Sequence, residues 1–187
     1  MTEPLDAIGL VEVSSIALGH ISEDAMLKAA SVELLLARTI CSGKFIVVVG
    51  GDVAAVASAV DAGAAMATGG LIEQRVIPRI HPSVFPAISM AVDLDPSEAQ
   101  ALGVVETFSA SSIVDVADIA AKAAAVKLFR IHLAMAIGGK GYVMLTGDVA
   151  SVEAAVEAGA TVAAEEGILV AKAVIAAPRK ELFREFV

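Results

Sequence analysis

The sequence has no tryptophan, one cysteine, three histidines and only 4% aromatic residues. A single cysteine cannot form a disulfide within the chain, and such sparse use of cysteine fits a reducing compartment. The histidines, His20, His81 and His132, match no metal-ligand spacing such as His-Glu-x-x-His. The sequence therefore excludes a protein built on a disulfide framework and gives no sign of a histidine-based metal site.

Long uninterrupted hydrophobic runs are also missing, although 57% of the residues are hydrophobic and the mean hydropathy is +0.80. Apolar stretches such as 163–177 are interrupted by charged residues, and they stay below the ~20 apolar residues that a membrane span needs. Residues 1–6 are acidic and lack the basic and apolar regions of a signal peptide. We therefore expect a cytoplasmic protein with no membrane partner.

Positive charge and catalytic motifs are scarce as well. The chain has 13 Lys and Arg against 22 Asp and Glu, a net charge of -9, which argues against nucleic acid as a partner because phosphate neutralisation needs clustered Lys and Arg. A phosphate-binding loop around Gly139 would need Gly at 134 and Ser or Thr at 141, but the chain has Ala134 and Gly141. We predict that the protein is not an enzyme.

An internal repeat is the strongest feature that the sequence does contain. Residues 7–12 match 101–106 and residues 24–32 match 118–126, both at an offset of 94. Further along, Gly43-Lys44 matches Gly139-Lys140 at an offset of 96, so the second copy has two extra residues in the intervening loop. This pattern predicts two similar domains, 1–92 and 99–187, separated by a polar segment that contains Pro96.

Each copy has the hydrophobic pattern of four strands and two helices. In the first copy, strands are predicted at 8–13, 32–40, 45–49 and 71–77, and helices at 22–30 and about 53–67. Ser22 and Asp52 are the expected N-caps of these helices. A short tail follows each copy, at 81–88 and 179–186. The order β-α-β-β-α-β predicts an α+β chain with two tandem ferredoxin-like domains.

Together, these motifs resemble the tandem-domain shell proteins of bacterial microcompartments. The resemblance covers nearly the whole chain and rests on the opening Gly-Leu-Val-Glu and on residues 24–30, 42–44, 51–53 and 76–82. The order of elements is similar to that of the unpermuted subgroup, and residues 39–44 most resemble the propanediol-utilisation type. The resemblance implies a pseudohexagonal homotrimer that lies in the shell beside other shell proteins, with an iron-sulfur cluster at its central axis.

The resemblance also implies a cofactor site at the first hairpin loop, with Cys41 as the metal ligand and Ser42 and Gly43 beside it. Threefold closure would bring three copies of this loop to one axis. Three thiolates would then hold one 4Fe-4S cluster, with one iron bound by another ligand. The loop of the second copy, with Ile137, Gly138 and Gly139, would line or close the same opening. The cluster would carry electrons across the shell or deliver iron-sulfur units to an encapsulated redox enzyme.

Three basic residues are expected at the edge of the disc. Lys28 and Lys122 occupy matching places in the first helix of each copy, and the resemblance implies that they contact a neighbouring shell protein, with Arg79 completing the contact. The second copy has no arginine at the place that matches Arg79. Lysines on a helix are otherwise usually solvated surface residues.

Glu12 and Glu106 match each other in the repeat. Because general acid and base roles require two different environments, this equivalence argues against a catalytic carboxylate pair.

Alternatives to the cluster interpretation stay open at this point. Cys41 could line a cluster-free, gated metabolite pore in the shell. It could also be a small buried apolar residue at the end of a strand. A more distant alternative is a trimeric ferredoxin-like regulator that binds a small effector between subunits.

Overall fold

The computed structural model describes residues 5–97 and 99–183. Residues 1–4, part of the acidic N-terminal segment, lie outside the described residues. So do Glu98 and residues 184–187, which include the end of the second tail. The chain divides into two compact units. The first comprises Met1–Pro82 with Met135–Gly138, and the second comprises Ser83–Ala134 with Gly139–Val187. The domain limits at residues 92 and 99 stay a prediction.

Within its described residues, the first unit has one antiparallel sheet and two helices. The sheet has the strand order β2-β3-β1-β4, and the helices α1 and α2 pack against each other and against its strands. In chain order, the elements are β1 (Ala7–Val13), α1 (Ile16–Ala29), β2 (Glu33–Ile40), β3 (Lys44–Gly51), α2 (Val53–Met66) and β4 (Leu71–Pro78).

The core of the first unit lies between the sheet and the two helices. Alternate residues of the strands point to opposite faces, and those that face the helices are apolar. A glycine at position 9 lets α2 approach closely, because a Cβ there would lie 2.5 Å from Val60 Cγ2. The main buried members are Val11, Val13, Met26, Phe45, Val47, Val49, Val56 and Val60.

The start of α1 differs from the prediction. The helix begins at Ile16, after Ser15, and Ser22 is fully buried in its interior, so the expected N-cap at Ser22 is wrong. Gly19, which argues against helix in a sequence, is needed here because a Cβ at this position would lie 2.3 Å from Phe45 Cγ. The second predicted cap is confirmed, since Asp52 accepts hydrogen bonds from the backbone N–H groups of Ala54 and Ala55 at 2.9 and 3.0 Å.

The second unit repeats this arrangement and adds a short helix. Its sheet has the order β6-β7-β5-β8, and Asp148 caps the long helix through a hydrogen bond from the Ser151 backbone N–H. In chain order, the elements are α3 (Val84–Ile88), β5 (Ala101–Thr107), α4 (Ser112–Ala123), β6 (Lys127–Leu133), β7 (Gly141–Gly147), α5 (Val149–Glu165) and β8 (Leu169–Ala176).

Both tails pack within the second unit. The first tail forms α3, which contacts β6 and α4. The second tail forms a 3-10 turn at Lys180–Phe183, and Phe183 is fully buried 6.0 Å from the Phe129 ring. Leu94, Leu102 and Met144 join this cluster. It lies on the face of the sheet away from α5, since Gly103, the neighbour of Leu102, faces Val156.

Both units therefore have the β-α-β-β-α-β order and the strand arrangement of the ferredoxin-like fold, as predicted. In the described part of the chain, no helix combines the length and the apolar content that crossing a membrane requires.

Candidate functional site

The cysteine lies at the tip of a tight hairpin. β2 and β3 are joined by the 3-10 turn Cys41–Gly43, and the last residue of β2, Ile40, pairs with the first of β3, Lys44. Ser42 and Gly43 both have left-handed backbone, with φ of 65° and 73°. Glycine adopts this conformation without steric cost, whereas few other residues do. The turn is thus closed by the two residues that follow Cys41.

The surface around Cys41 is open. Cys41 is half-buried, and Ser42 and Gly43 are exposed. A Cβ built on Gly43 would meet no atom within 4 Å, so a bulky group can approach the backbone here without displacing protein atoms. Cys41 is thus neither fully buried nor fully exposed. The three residues predicted from the sequence lie together at one surface.

An ion pair anchors the base of this turn. Lys44 Nζ donates to Glu12 Oε1 at 2.8 Å, and the side chains of Lys44 and Glu12 are 33% and 7% exposed. Lys44 follows the turn directly, whereas Glu12 lies on the central strand β1. The pair therefore fixes one end of the Cys41 turn to the middle of the sheet. Sequence reasoning missed it, although the recurrence of both Glu and Gly-Lys in the repeat was an available signal.

The same ion pair occurs in the second unit. Lys140 Nζ donates to Glu106 Oε1 at 2.8 Å, and here the glutamate side chain is 30% exposed. Glu12 and Glu106 are thus each the partner of a lysine in their own unit, which gives both a structural role. That the two glutamates do not form an acid-base pair stays a prediction.

Near the Cys41 turn, Arg38 lies on β2 opposite Ile46. Burial lowers the pKa of the Arg38 guanidinium from its ordinary value, but arginine remains charged at neutral pH because its ordinary pKa is above ~12. Arg38 and Lys44 thus contribute positive charge to the strands that carry the turn.

The second hairpin has a longer, glycine-rich loop. The loop is closed by a hydrogen bond of 3.0 Å from the Ala134 backbone N–H to the Lys140 carbonyl oxygen. Gly138 and Gly139 have φ of 70° and 87°, and a Cβ on either would meet nothing within 4 Å. Ile137 is half-buried. The loop offers no thiol, so any thiolate ligand from the two hairpins comes from Cys41.

The histidines for which contacts are described take part in packing. His132 stacks on Tyr142 with ring centroids 4.9 Å apart, and His20 lies 4.7 Å from the Phe45 ring with Nδ1 at 3.1 Å from Glu23 Oε2. Across residues 5–97 and 99–183, no three side chains of His, Cys, Asp or Glu converge as a metal ion would require.

The predicted edge residues lie outside the hairpin loops. Lys28, in the last turn of α1, donates to Asp24 at 2.6 Å, and both side chains are exposed. Lys122, in the last turn of α4, donates to Asp118 at 2.5 Å, and the Asp118 side chain is only 7% exposed. Arg79 is exposed and has left-handed backbone with φ of 52°.

A groove lies between α5 and β8. It has two lobes of about 370 and 480 Å³ that share the ion pair between Lys172 and Glu157. Most of its exposed lining is apolar, with Thr161 and charged side chains among the polar groups. The lining includes Val156, Ala160, Ala164, Leu169 and Val174.

Known proteins match this chain along almost its whole length. The BMC domain family matches residues 7–80 and again residues 101–178. The bacterial microcompartment shell protein PduT of Citrobacter freundii is 45% identical over 181 residues, which are 97% of this chain and 97% of that protein. The crystal structure of a microcompartment protein from Desulfitobacterium hafniense superposes with a TM-score of 0.93 and 51% identity, covering 97% of this chain and 99% of that one.

A shorter relative corresponds to a single repeat. The bacterial microcompartment shell protein EutM of Salmonella typhimurium is 41% identical over 87 residues, which are 44% of this chain but 91% of that protein. The two repeats are therefore two BMC domains in tandem. The named relatives are shell proteins, which confirms the prediction of a structural protein rather than an enzyme. The chain belongs to the BMC-domain family and is a tandem-domain shell protein of a bacterial microcompartment.

Proposed function

We propose that three copies of this chain form a ring that tiles into a microcompartment shell, and that their Cys41 thiolates hold one 4Fe-4S cluster at the central axis. The cluster would transfer electrons across the shell or be delivered to an encapsulated redox enzyme. The observation that carries the proposal is the position of the single cysteine, half-buried at the tip of a tight and otherwise exposed hairpin turn.

A ring of three chains agrees with the number of domains and of thiols in each chain. Two similar domains in each chain give six around a threefold axis, and cyclic closure repeats every loop three times. Each chain has one cysteine. Three Cys41 thiolates are thus the largest set that such a ring can present to one cluster.

The residues present fit a cluster held in this way. Iron-sulfur clusters are usually bound by four Cys thiolates, so three would leave one iron for a water or another small ligand. The open space beside Gly43 allows close approach to the backbone, whose N–H groups tune the electronics of a bound cluster when they donate to its sulfurs. When bound, the cluster supplies one-electron transfer, while Cys41 binds it and the Ser42–Gly43 turn sets the direction of the thiol.

A cluster-free metabolite pore is the second candidate. It is favoured by the loop with Ile137, Gly138 and Gly139, whose glycines have open space around them and whose flexible backbone suits a gate. In this interpretation Cys41 only lines the opening. The two candidates differ in whether the purified protein contains iron.

We further propose that Lys28, Lys122 and Arg79 contact other shell proteins at the edge of the ring. Lys28 is 74% exposed and Arg79 is also exposed, so both can reach a neighbour. Lys122 is 44% exposed and is oriented by the nearly buried Asp118. The Arg79→Ala variant should no longer form ordered sheets in electron micrographs. Light scattering should show that its ring is preserved.

The cluster is tested by iron and acid-labile sulfide analysis of protein purified without oxygen. The wild type should contain about four irons per trimer and absorb broadly near ~400 nm, as iron-sulfur proteins do. Cys41→Ala should lose the iron while it keeps the trimer mass. Thr39→Ala, an exposed change on the same hairpin, is the matched control and should retain it. An iron-free trimer that cannot be reconstituted would instead support the metabolite pore.

A further inference from the structure

The loop of the second hairpin has an alternating backbone. Three of its residues have left-handed φ, with 53° at Ala134, 63° at Ala136 and 70° at Gly138, and Gly139 ends the series with 87°. The two residues that separate the first three have ordinary, negative φ, and the chain bends throughout 134–137. In such an alternation, successive backbone N–H groups turn toward one side and form a concavity that binds anions. The loop therefore has the backbone of an anion-binding cradle.

Four N–H groups of this cradle have no acceptor within the chain. In the part of the chain that the structure describes, no atom accepts a hydrogen bond from the backbone N–H groups of residues 136–139. Ala136 and Gly138 are exposed, and a Cβ on Gly138 or Gly139 would meet no atom within 4 Å. Four neighbouring donors are thus available to a ligand, with open space beside them.

Two of the left-handed residues, Ala134 and Ala136, are not glycines. Few residues other than glycine adopt positive φ, because their Cβ crowds the backbone. The first hairpin joins the equivalent strands with fewer residues, of which Ser42 and Gly43 are left-handed, so reversing the chain does not require this series. Backbone strain of this kind persists where the surrounding structure holds it, and it is frequent at ligand clamps. The conformation of the loop therefore points to binding.

The surroundings of the loop favour a small anion as the ligand. Backbone N–H groups form stronger hydrogen bonds to a charged acceptor than to a neutral one. Lys140 follows the loop but is paired with Glu106 at 2.8 Å, so it adds little net charge. Because the chain has a net charge of -9, an anion is not drawn to the protein in general. An anion bound here would be held by the N–H groups of the loop.

A nucleotide does not fit this loop. Nucleotide-binding phosphate loops lead from a strand into a helix and offer a Ser or Thr hydroxyl to Mg²⁺. This loop joins β6 to β7, and the residue after Lys140 is a glycine, Gly141. The loop therefore suits a small oxyanion without a bound metal ion.

We propose that the loop of residues 134–139 binds a small oxyanion, represented by phosphate, through the backbone N–H groups of residues 136–139. The site needs neither the iron-sulfur cluster nor a particular number of chains. Inorganic phosphate and the phosphate group of an ester share this chemistry, and either source would place an anion at the second hairpin.

Amide NMR of the full-length Cys41→Ala chain, in which no cluster disturbs the spectrum, tests this site with isotope-labelled glycine. Inorganic phosphate should shift the amide resonances of Gly138 and Gly139 in a saturable way. Gly69 and Gly167 are matched internal controls, because they have φ of 80° and 71° and open space around them but no left-handed neighbour. Their resonances should not move. Sodium chloride at the same ionic strength should shift none of the four.

Glycerol phosphate, as a second probe, separates the two sources of the ligand. Saturable shifts with both probes would support the site and assign the phosphate group as its ligand. Shifts with inorganic phosphate alone would support the site and assign the free ion. The absence of saturable shifts at Gly138 and Gly139, equal shifts with chloride, or shifts at Gly43 in their place would overturn the proposal.

A pair of variants tests the role of the left-handed backbone by calorimetric titration with inorganic phosphate. Gly138→Val with Gly139→Val should raise the Kd at least about tenfold, the loss of one hydrogen bond to a charged group, because valine avoids positive φ. Ala136→Gly keeps the N–H group and tolerates this backbone, so it should bind phosphate as the parent chain does. Undiminished binding by the valine variant would refute the assignment. If that variant does not fold, the titration of the labelled glycines decides.

Discussion

Replacing Lys44 with methionine should destabilise the protein more than replacing Lys140 with methionine. The two lysines occupy equivalent positions in the repeat and form ion pairs of the same length, 2.8 Å. They differ in the exposure of their partners, since Glu12 is 7% exposed and Glu106 is 30% exposed. The comparison therefore isolates the effect of burial on one kind of contact.

The expected magnitudes follow from what each variant leaves behind. Lys44→Met leaves a nearly buried carboxylate without its cation, which costs about 3 kcal/mol, the lower end of the range for broken buried pairs, because Lys44 is itself 33% exposed. Lys140→Met leaves a carboxylate that water can reach, which costs at most about 1 kcal/mol. At about 2–4 °C of melting temperature per kcal/mol in a chain of this size, Lys44→Met should melt about 6 °C below Lys140→Met.

Thermal unfolding followed by circular dichroism measures this difference. A Glu12→Gln/Lys44→Met double variant serves as the control, because removing the buried charge should recover most of the lost stability. The reasoning is refuted if the two lysine variants melt within about 1 °C of each other or if the double variant does not recover.

Three further predictions concern single positions. Gly19→Ala should cost about 3 kcal/mol, the upper end of the usual range for overpacking, because its Cβ would lie 2.3 Å from Phe45 Cγ. Gly43→Ala should cost only about 1 kcal/mol for its left-handed backbone. Equal losses of unfolding free energy in denaturant would contradict this difference. Phe183→Ala should cost about 3 kcal/mol or more, because Phe183 is fully buried, and a change below about 1 kcal/mol would contradict its place in the core. Hydrogen bonds from the Ser151 side chain and backbone hold the pKa of Asp148 below its usual value, so this cap stabilises the fold above the ordinary carboxyl pKa of about 3.9 and is lost as the pH falls through the lower, folded-state pKa. Ser151→Ala should raise the pKa of Asp148 in an NMR titration, and an unchanged midpoint would refute the assignment.

Local patterns in the sequence were sufficient for most of the fold. Short apolar runs between turn residues predicted the strands, and Asp52 was recognised as a cap because capping depends on the next few residues. The start of α1 was not predictable in this way. In the sequence, Gly19 disfavours a helix. Its presence in α1 is explained only by the packing of Phe45, which lies 26 residues later in the chain.

Contacts between distant residues account for the rest. The pairs Lys44–Glu12 and Lys140–Glu106 join residues 32 and 34 positions apart, so only the sheet register brings them together. The packing of α3 on β6 is also non-local, and no motif in residues 81–88 predicts it. The role proposed for Cys41 depends on further copies of the chain, which lie beyond any contact within one copy.

Native mass spectrometry of protein purified without oxygen tests the central claim most directly. The account predicts an assembly of three chains with the mass of one 4Fe-4S cluster, and a trimer of Cys41→Ala without that mass. One cluster on each chain, iron that survives Cys41→Ala, or an assembly that is not a multiple of three chains would contradict it.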